Sequence, residues 1–117
     1  MKTKISIALF IVACIFCSFT AQMIPTSLKI TVRNELGAIE SDVQVKLYGN
    51  KEDYEKSVNP VFSGKTDSKG IVYFQYLKAL NFYVSAEKGD RNNFGAGEKI
   101  DSLAANKVNK VTIIISE

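Results

Sequence analysis

The stretch Leu28-Lys29-Ile30-Thr31-Val32-Arg33 decides the fold, because apolar and polar side chains alternate along it with a period of two. Successive side chains of a β-strand point to opposite faces, so this alternation predicts a strand with one buried and one solvated face. The same rhythm returns at Val43 to Leu47, at Phe82 to Ala86 and at Val108 to Ile115. After residue 22, no window has the three- and four-residue spacing of an amphipathic helix. The sequence therefore predicts an all-β domain.

Shorter strands and turn residues fill the intervals between these segments. Val61 to Thr66 and Ile71 to Leu77 predict two more strands, and Glu98 to Leu103 has a weaker strand pattern. Between the first two, Asp67-Ser68-Lys69-Gly70 predicts a tight turn, because aspartate accepts backbone hydrogen bonds and glycine adopts positive φ. Residues 50–60 are polar and predict a loop with a short helical turn around Glu52 to Lys56. Six or seven short strands at this spacing predict a sandwich or barrel.

The first 21 residues have the pattern of a secretory signal peptide. Lys2 and Lys4 form a short basic region, residues 5–19 are almost wholly apolar, and the small residue Ala21 precedes Gln22. This apolar run is shorter than the roughly 20 residues that a helix needs to span a bilayer. We therefore predict a signal peptide at residues 1–21 and an exported domain at residues 22–117, located in the periplasm or outside the cell.

A second processing route stays open within the leader. Ile11-Val12-Ala13-Cys14 resembles a bacterial lipobox, in which Cys14 is acylated and becomes the first residue of a lipid-anchored protein. Contact with a membrane is expected only through this anchor. Both cysteines, Cys14 and Cys17, lie in the leader. A chain cut after Ala21 therefore has no disulfide, no thiol nucleophile and no thiolate metal ligand.

Composition argues against most catalytic and nucleic-acid-binding chemistry. The chain has no histidine, which removes histidine-based nucleophile activation, histidine metal sites and the commonest general base. Its 15 basic and 12 acidic residues form no basic stripe, so nucleic acid is not an expected partner. Asp90 to Asp101 fits a calcium loop only loosely, because Phe94 occupies a ligand position and supplies no oxygen. We predict a protein that is not an enzyme, with no catalytic residue, cofactor or metal.

The segment from Ile30 to Gly89 resembles the carboxypeptidase-regulatory-like, or transthyretin-like, β-sandwich domains of exported Bacteroidetes proteins. The residues that carry the resemblance are Ile30 to Gly37, Val43 to Tyr48, Gly64 to Gly70, Val72, Tyr73, Phe74, Leu77, Phe82, Val84 and Ala86. One departure is Lys78-Ala79-Leu80-Asn81, where the family usually has proline and glycine. The resemblance implies a seven-stranded Greek-key β-sandwich of the transthyretin-like or Ig-like kind. It also implies an accessory, scaffold or interaction role in the cell envelope, with an unknown protein or glycan partner.

Three tyrosines are the candidate contact residues. If Phe74 and Phe82 point inward, Tyr73 and Tyr83 lie on the outer face of neighbouring strands, and Tyr48 joins them there. Exposed tyrosines suit contact with sugars or proteins, because a flat ring offers a large area at low entropic cost. Cross-strand pairing that only stabilises the sheet is the other interpretation. Binding of a glycan or small ligand, through this tyrosine face or through end loops, is the alternative to the scaffold role.

Overall fold

A computed structural model describes residues 24–117, which form β-strands and, among these residues, one short helix. The elements are β1 Ser27–Asn34, β2 Gln44–Tyr48, α1 Lys51–Lys56, β3 Phe62–Lys65, β4 Ile71–Phe74, β5 Phe82–Lys88, β6 Arg91–Asn92, β7 Lys99–Ile100 and β8 Val108–Ile115. The all-β prediction is confirmed. The predicted signal peptide and Cys14 lie outside the described residues. From residue 24 onward, no helix has the length and apolarity needed to cross a membrane.

The strands form two sheets with different neighbours. Sheet A has the order β4-β1-β8, with β1 antiparallel to β4 and parallel to β8. Sheet B has the order β3-β2-β5-β6, and β7 pairs with the first residues of β5. The first and last strands are in register from Ser27 opposite Val108 to Asn34 opposite Ile115. Sheet A therefore brings the two ends of the described chain together as neighbouring strands.

Apolar side chains from both sheets meet in one sandwich-like core. The alternating residues Leu28, Ile30 and Val32 of β1 are fully buried, as their period of two predicts. The inward orientation predicted for Phe74 and Phe82 is confirmed, because both side chains are buried. Burial of an aliphatic or aromatic side chain of this size stabilises a fold by roughly 1.5–3 kcal/mol. The other buried members are Val43, Val45, Leu47, Val72, Leu77, Val84, Ala86, Ile100, Leu103, Ile113 and Ile115.

The strand pattern differs from the prediction at two points. β4 ends at Phe74 rather than Leu77, because Tyr76 has a φ of 60°, which a strand does not accommodate. The structure has eight strands between residues 24 and 117, whereas the sequence predicts six or seven and the resemblance implies seven. The additional strand is β6, which lies in the predicted loop and pairs with the end of β5. The short helix was predicted, and Asn50 caps it by accepting a hydrogen bond from Asp53 N at 2.8 Å.

Polar side chains of the Thr66-Asp67 motif hold the connections around β3 and β4. Thr66 Oγ1 donates to the carbonyl of Glu40 at 2.8 Å and accepts from Val43 N at 2.9 Å. Asp67 Oδ1 accepts from Ile71 N at 3.1 Å. Backbone hydrogen bonds of this kind favour the ionised carboxylate and lower the pKa of Asp67. The motif therefore fixes backbone geometry at this end of the sandwich.

Candidate functional site

An apolar pocket opens at the end of the sandwich where β2 ends and β3 and β5 begin. Since β2 is antiparallel to both β3 and β5, these three chain segments meet at the same edge of sheet B. The pocket has a volume of about 330 Å³, near the lower end of the range for small-ligand sites. We call it the end pocket, and it is lined by Gly49, Val61, Phe62, Tyr76, Lys78, Ala79 and Phe82.

Two phenylalanines and a glycine shape the inner part of the end pocket. Phe82 is buried at the start of β5. Phe62 packs its ring against that of Phe74, with the two ring centres 5.7 Å apart. A Cβ atom added at Gly49 would meet only the Cγ1 atom of Val61, at 3.8 Å. The pocket is open in part because position 49 has no side chain.

Exposed apolar side chains form the rim of the end pocket. Val61 is exposed, and Tyr76 is 71% exposed. The left-handed backbone of Tyr76, with a φ of 60°, costs an L-residue about 1–2 kcal/mol. The next residue, Leu77, holds this conformation, because its side chain is buried and its N–H donates to the carbonyl of Thr26 at 3.0 Å. Strained backbone that presents a bulky side chain is typical of functional sites.

The tyrosines predicted to form one surface lie in two separate places. Tyr73 is in β4 of sheet A, where it is 43% exposed and lies opposite Lys29 of β1. Tyr83 is half-buried in β5 of sheet B. The prediction that these tyrosines lie on neighbouring strands is wrong, because β4 and β5 follow each other in sequence and belong to different sheets.

The prediction that Tyr48 is exposed is also wrong, since only 1% of this residue is accessible. Tyr48 lies opposite Tyr83 in the pairing of β2 with β5. Helix α1 covers both residues with Tyr54, whose ring lies 5.7 Å from that of Tyr83 and 5.8 Å from that of Tyr48. Tyr54 was not among the predicted contact residues; the signal that points to it is its place as the single aromatic residue in the otherwise charged segment Lys51–Lys56.

The hydroxyl group of Tyr54 is buried and has no hydrogen-bond partner. Burial disfavours the phenolate, and the negative charge of Glu98 acts in the same direction. Together they raise the pKa of Tyr54 from 10.0 to about 12. The folded protein therefore keeps a proton that the unfolded chain releases in this range.

We expect the folded state to lose stability as the pH rises from 10.0 towards about 12, because deprotonation of Tyr54 favours unfolding. Tyr54→Phe removes this titration and should show a smaller alkaline loss. At neutral pH the variant should be as stable as the original or more stable, since the hydroxyl has no partner. Urea unfolding followed by circular dichroism at a series of pH values measures both effects. Tyr76→Phe is the matched control, and an alkaline loss of the same size in both variants would contradict the role of Tyr54.

The polar loop considered for calcium uses its amides for backbone contacts. Asn92 Oδ1 accepts from Phe94 N at 3.0 Å. Asn93 is buried and bonds to Val84 and Ala86 of β5. Across residues 24–117, no group of three or more acidic, cysteine or histidine side chains is placed to hold a metal ion.

Comparison with known proteins finds a similar fold among solved structures. No family model matches the chain, and a search of curated proteins finds no match. Among solved structures, the Bacillus anthracis TIE protein has a similar fold, with a TM-score of 0.55 and 17% sequence identity. The match covers 80% of this chain and 16% of that chain, so this chain spans a small part of that protein's length. At this level of identity, the similarity shows a shared fold alone.

Proposed function

We propose that this protein is an exported, non-enzymatic β-sandwich domain that acts as an interaction module in the cell envelope, with the end pocket as its contact site. The observation that carries the proposal is the exposed apolar rim of this pocket, formed by Val61 and Tyr76. Contiguous exposed apolar surface beside an apolar cavity marks a binding surface, whereas single scattered apolar side chains do not.

Export is supported by the leader pattern of residues 1–21. The domain then comprises residues 22–117, and the Thr66-Asp67-Gly70 turn supports its assignment as a transthyretin-like Greek-key sandwich. The intact mass of the exported protein distinguishes the two processing routes. Cleavage after Ala21 gives a chain that begins at Gln22, whereas the lipid-anchored form begins at an acylated Cys14 and remains bound to the envelope.

The size and chemistry of the end pocket define what it accepts. A volume of about 330 Å³ suits one aromatic or branched aliphatic group, the kind of anchor that protein interfaces place in a pocket. Phe62 and Phe82 supply an apolar surface for this group. Lys78 adds a positive charge at the rim, so an anchor flanked by a carboxylate is favoured. The proposed partner is therefore a protein surface with an exposed apolar side chain next to an acidic residue.

Gly49→Leu should block this contact while leaving the fold intact. The new side chain fills the pocket, and Gly49 has neither a positive φ nor close neighbours to resist it. A photo-crosslinking phenylalanine analogue at position 76 reports the contact in cells that export the protein. We expect a defined adduct there, reduced about tenfold by Gly49→Leu, which corresponds to about 1.4 kcal/mol of binding free energy.

The same analogue at position 73 is the matched control, because Tyr73 is exposed on the other sheet. It should not give the adduct formed from position 76. An unchanged melting temperature of Gly49→Leu shows that loss of the adduct reflects the pocket and not unfolding. Equal adducts from both positions, or an adduct insensitive to Gly49→Leu, would refute the end pocket as the contact site.

Binding of a glycan or small ligand is the second candidate function. Tyr76 favours it, because this residue is 71% exposed beside the pocket and sugars stack on exposed aromatic rings. Tyr73, opposite Lys29, offers a second exposed ring on sheet A. A glycan array probed with the original protein and with Tyr76→Ala separates the two functions. If the original protein binds a defined glycan and Tyr76→Ala does not, glycan binding is favoured over the protein contact.

A further inference from the structure

Strand β8 is an edge of sheet A, since its ladder partner among residues 24–117 is β1 alone. Ser27 N donates to the carbonyl of Lys107 at 3.0 Å, which fixes the phase of the parallel ladder. In such a ladder, alternate residues turn their backbone groups towards the partner strand and the others turn them away. The residues of β8 whose N–H and C=O groups face outward are therefore Val108, Lys110, Thr112 and Ile114.

The open part of this edge has defined ends. Beyond it, Ser116 exchanges two hydrogen bonds of 3.0 Å with Asn92, so its outward backbone groups are already paired. The open edge thus runs from Val108 to Ile114, and its central residue is Val111. Its sequence has no proline, and its pairing with β1 has no bulge. Proline and bulges are two of the features that usually protect an edge strand from pairing with another chain, and the charge of Lys110 is the one protective feature that this edge has.

We propose that β8 pairs antiparallel with β8 of a second copy of this chain, about a two-fold axis at Val111. The three strands of each sheet A then continue into one six-stranded sheet across the dimer. Pairing about this axis uses the whole open edge, and the interface is isologous, as in most symmetric dimers. An axis at Thr112 would instead place Val108 opposite Ser116, whose backbone groups are occupied.

The register about Val111 is complementary in side chains as well as in backbone groups. The exposed Val108 lies opposite the exposed Ile114 of the second copy, so each removes the other from water. Lys110 lies opposite the neutral Thr112 rather than another lysine. The half-buried Val111, which packs on the core, lies opposite itself and extends the core across the interface.

Charge complementarity also supports a second copy as the occupant of this edge. Lys107 precedes β8 and Glu117 follows it. An antiparallel pair brings the start of one strand to the end of the other, so each Lys107 lies two positions from Glu117 of the second copy. Opposite charges at both ends of the interface favour this antiparallel register.

Disulfide trapping tests the register directly. Val111 faces itself in a non-hydrogen-bonded pair, with Cα atoms roughly 4.5 Å apart, which a disulfide spans. In a Cys14→Ser, Cys17→Ser background, we expect Val111→Cys to form a covalent dimer on mild oxidation. Thr112→Cys is the matched control, because its Cα atoms lie beyond the roughly 7 Å limit for a disulfide. Trapping at position 112 as fast as at 111 would refute this register.

Thr112→Pro tests the backbone contact. The N–H of Thr112 faces away from β1, so proline removes a hydrogen bond of the dimer and none of the monomer. Sedimentation at about 100 μM should give the mass of two chains for the original protein and for Thr112→Val, and of one chain for Thr112→Pro. A one-chain mass for the original protein would overturn the proposal. If Thr112→Pro does not fold, the comparison of Val111→Cys with Thr112→Cys still tests the proposed dimer.

Discussion

Gly70→Ala is expected to lower the free energy of unfolding by about 3 kcal/mol. Gly70 has a φ of +74°, and an added Cβ atom would lie 3.0 Å from Ile39 Cβ and 3.1 Å from the carbonyl oxygen of Val32. The left-handed conformation costs an alanine about 1–2 kcal/mol. Displacement of packed neighbours adds roughly 1–3 kcal/mol. Because one of these neighbours is backbone of β1, the strain reaches the centre of sheet A.

Gly89→Ala separates these two costs. Gly89 also has a positive φ, of +59°, but no atom lies within 4 Å of an added Cβ. Its substitution should therefore cost only the conformational term, about 1 kcal/mol. Urea unfolding of the two variants, followed by circular dichroism, measures the difference. Equal losses in both would show that the contacts at Gly70 are irrelevant.

Asn93→Ala is expected to lower the free energy of unfolding by about 3 kcal/mol. The side chain of Asn93 makes hydrogen bonds to the backbone of β5 that a neighbouring strand would otherwise make. Only 1% of the residue is accessible. Its Nδ2 donates to the carbonyl of Val84 at 3.0 Å, and its Oδ1 accepts from Ala86 N at 2.9 Å. Truncation leaves both buried backbone groups unpaired, at about 1–3 kcal/mol each. Hydrogen exchange at the amide of Ala86 should also become faster.

Asn92→Ala is the matched control for this prediction. The neighbouring Asn92 is half-buried and bonds through its side chain to the exposed Phe94 N, so its loss should cost under about 1 kcal/mol. If the two variants unfold at the same urea concentration, the buried amide of Asn93 does not have the role assigned to it. Hydrogen exchange at the amide of Ala86 that stays as slow in Asn93→Ala as in the original protein would contradict this role independently.

The local strand pattern could be predicted because burial alternates with the pleat. Val108 to Ile115 was predicted as a strand, and β8 has those bounds. Partners of strands are set by tertiary contacts that a single sequence does not display. The assumption that consecutive strands pair placed Tyr73 beside Tyr83, whereas β4 pairs with β1 and β5 pairs with β2.

The end pocket was less accessible to prediction than the strands. End loops were an expected location, but the pocket depends on a missing side chain at Gly49 and on the left-handed backbone of Tyr76. Neither feature has a periodic signal. The cover over Tyr48 was missed for a similar reason, since α1 contributes one aromatic residue, Tyr54, from a charged segment. Such contacts depend on where a short helix packs in the fold, which its composition does not indicate.

The parallel pairing of β1 with β8 has a consequence for the order of events during synthesis. Among the described residues, the central strand of sheet A leaves the ribosome early, whereas one of its two neighbours, Val108–Ile115, follows all the other strands. Sheet A can reach its final arrangement only after translation of the described chain is nearly complete. Contacts between such distant parts of a chain slow folding to milliseconds or seconds. Until then, β1 lacks one of its two neighbours in sheet A, and its unpaired edge is open to pairing with another chain.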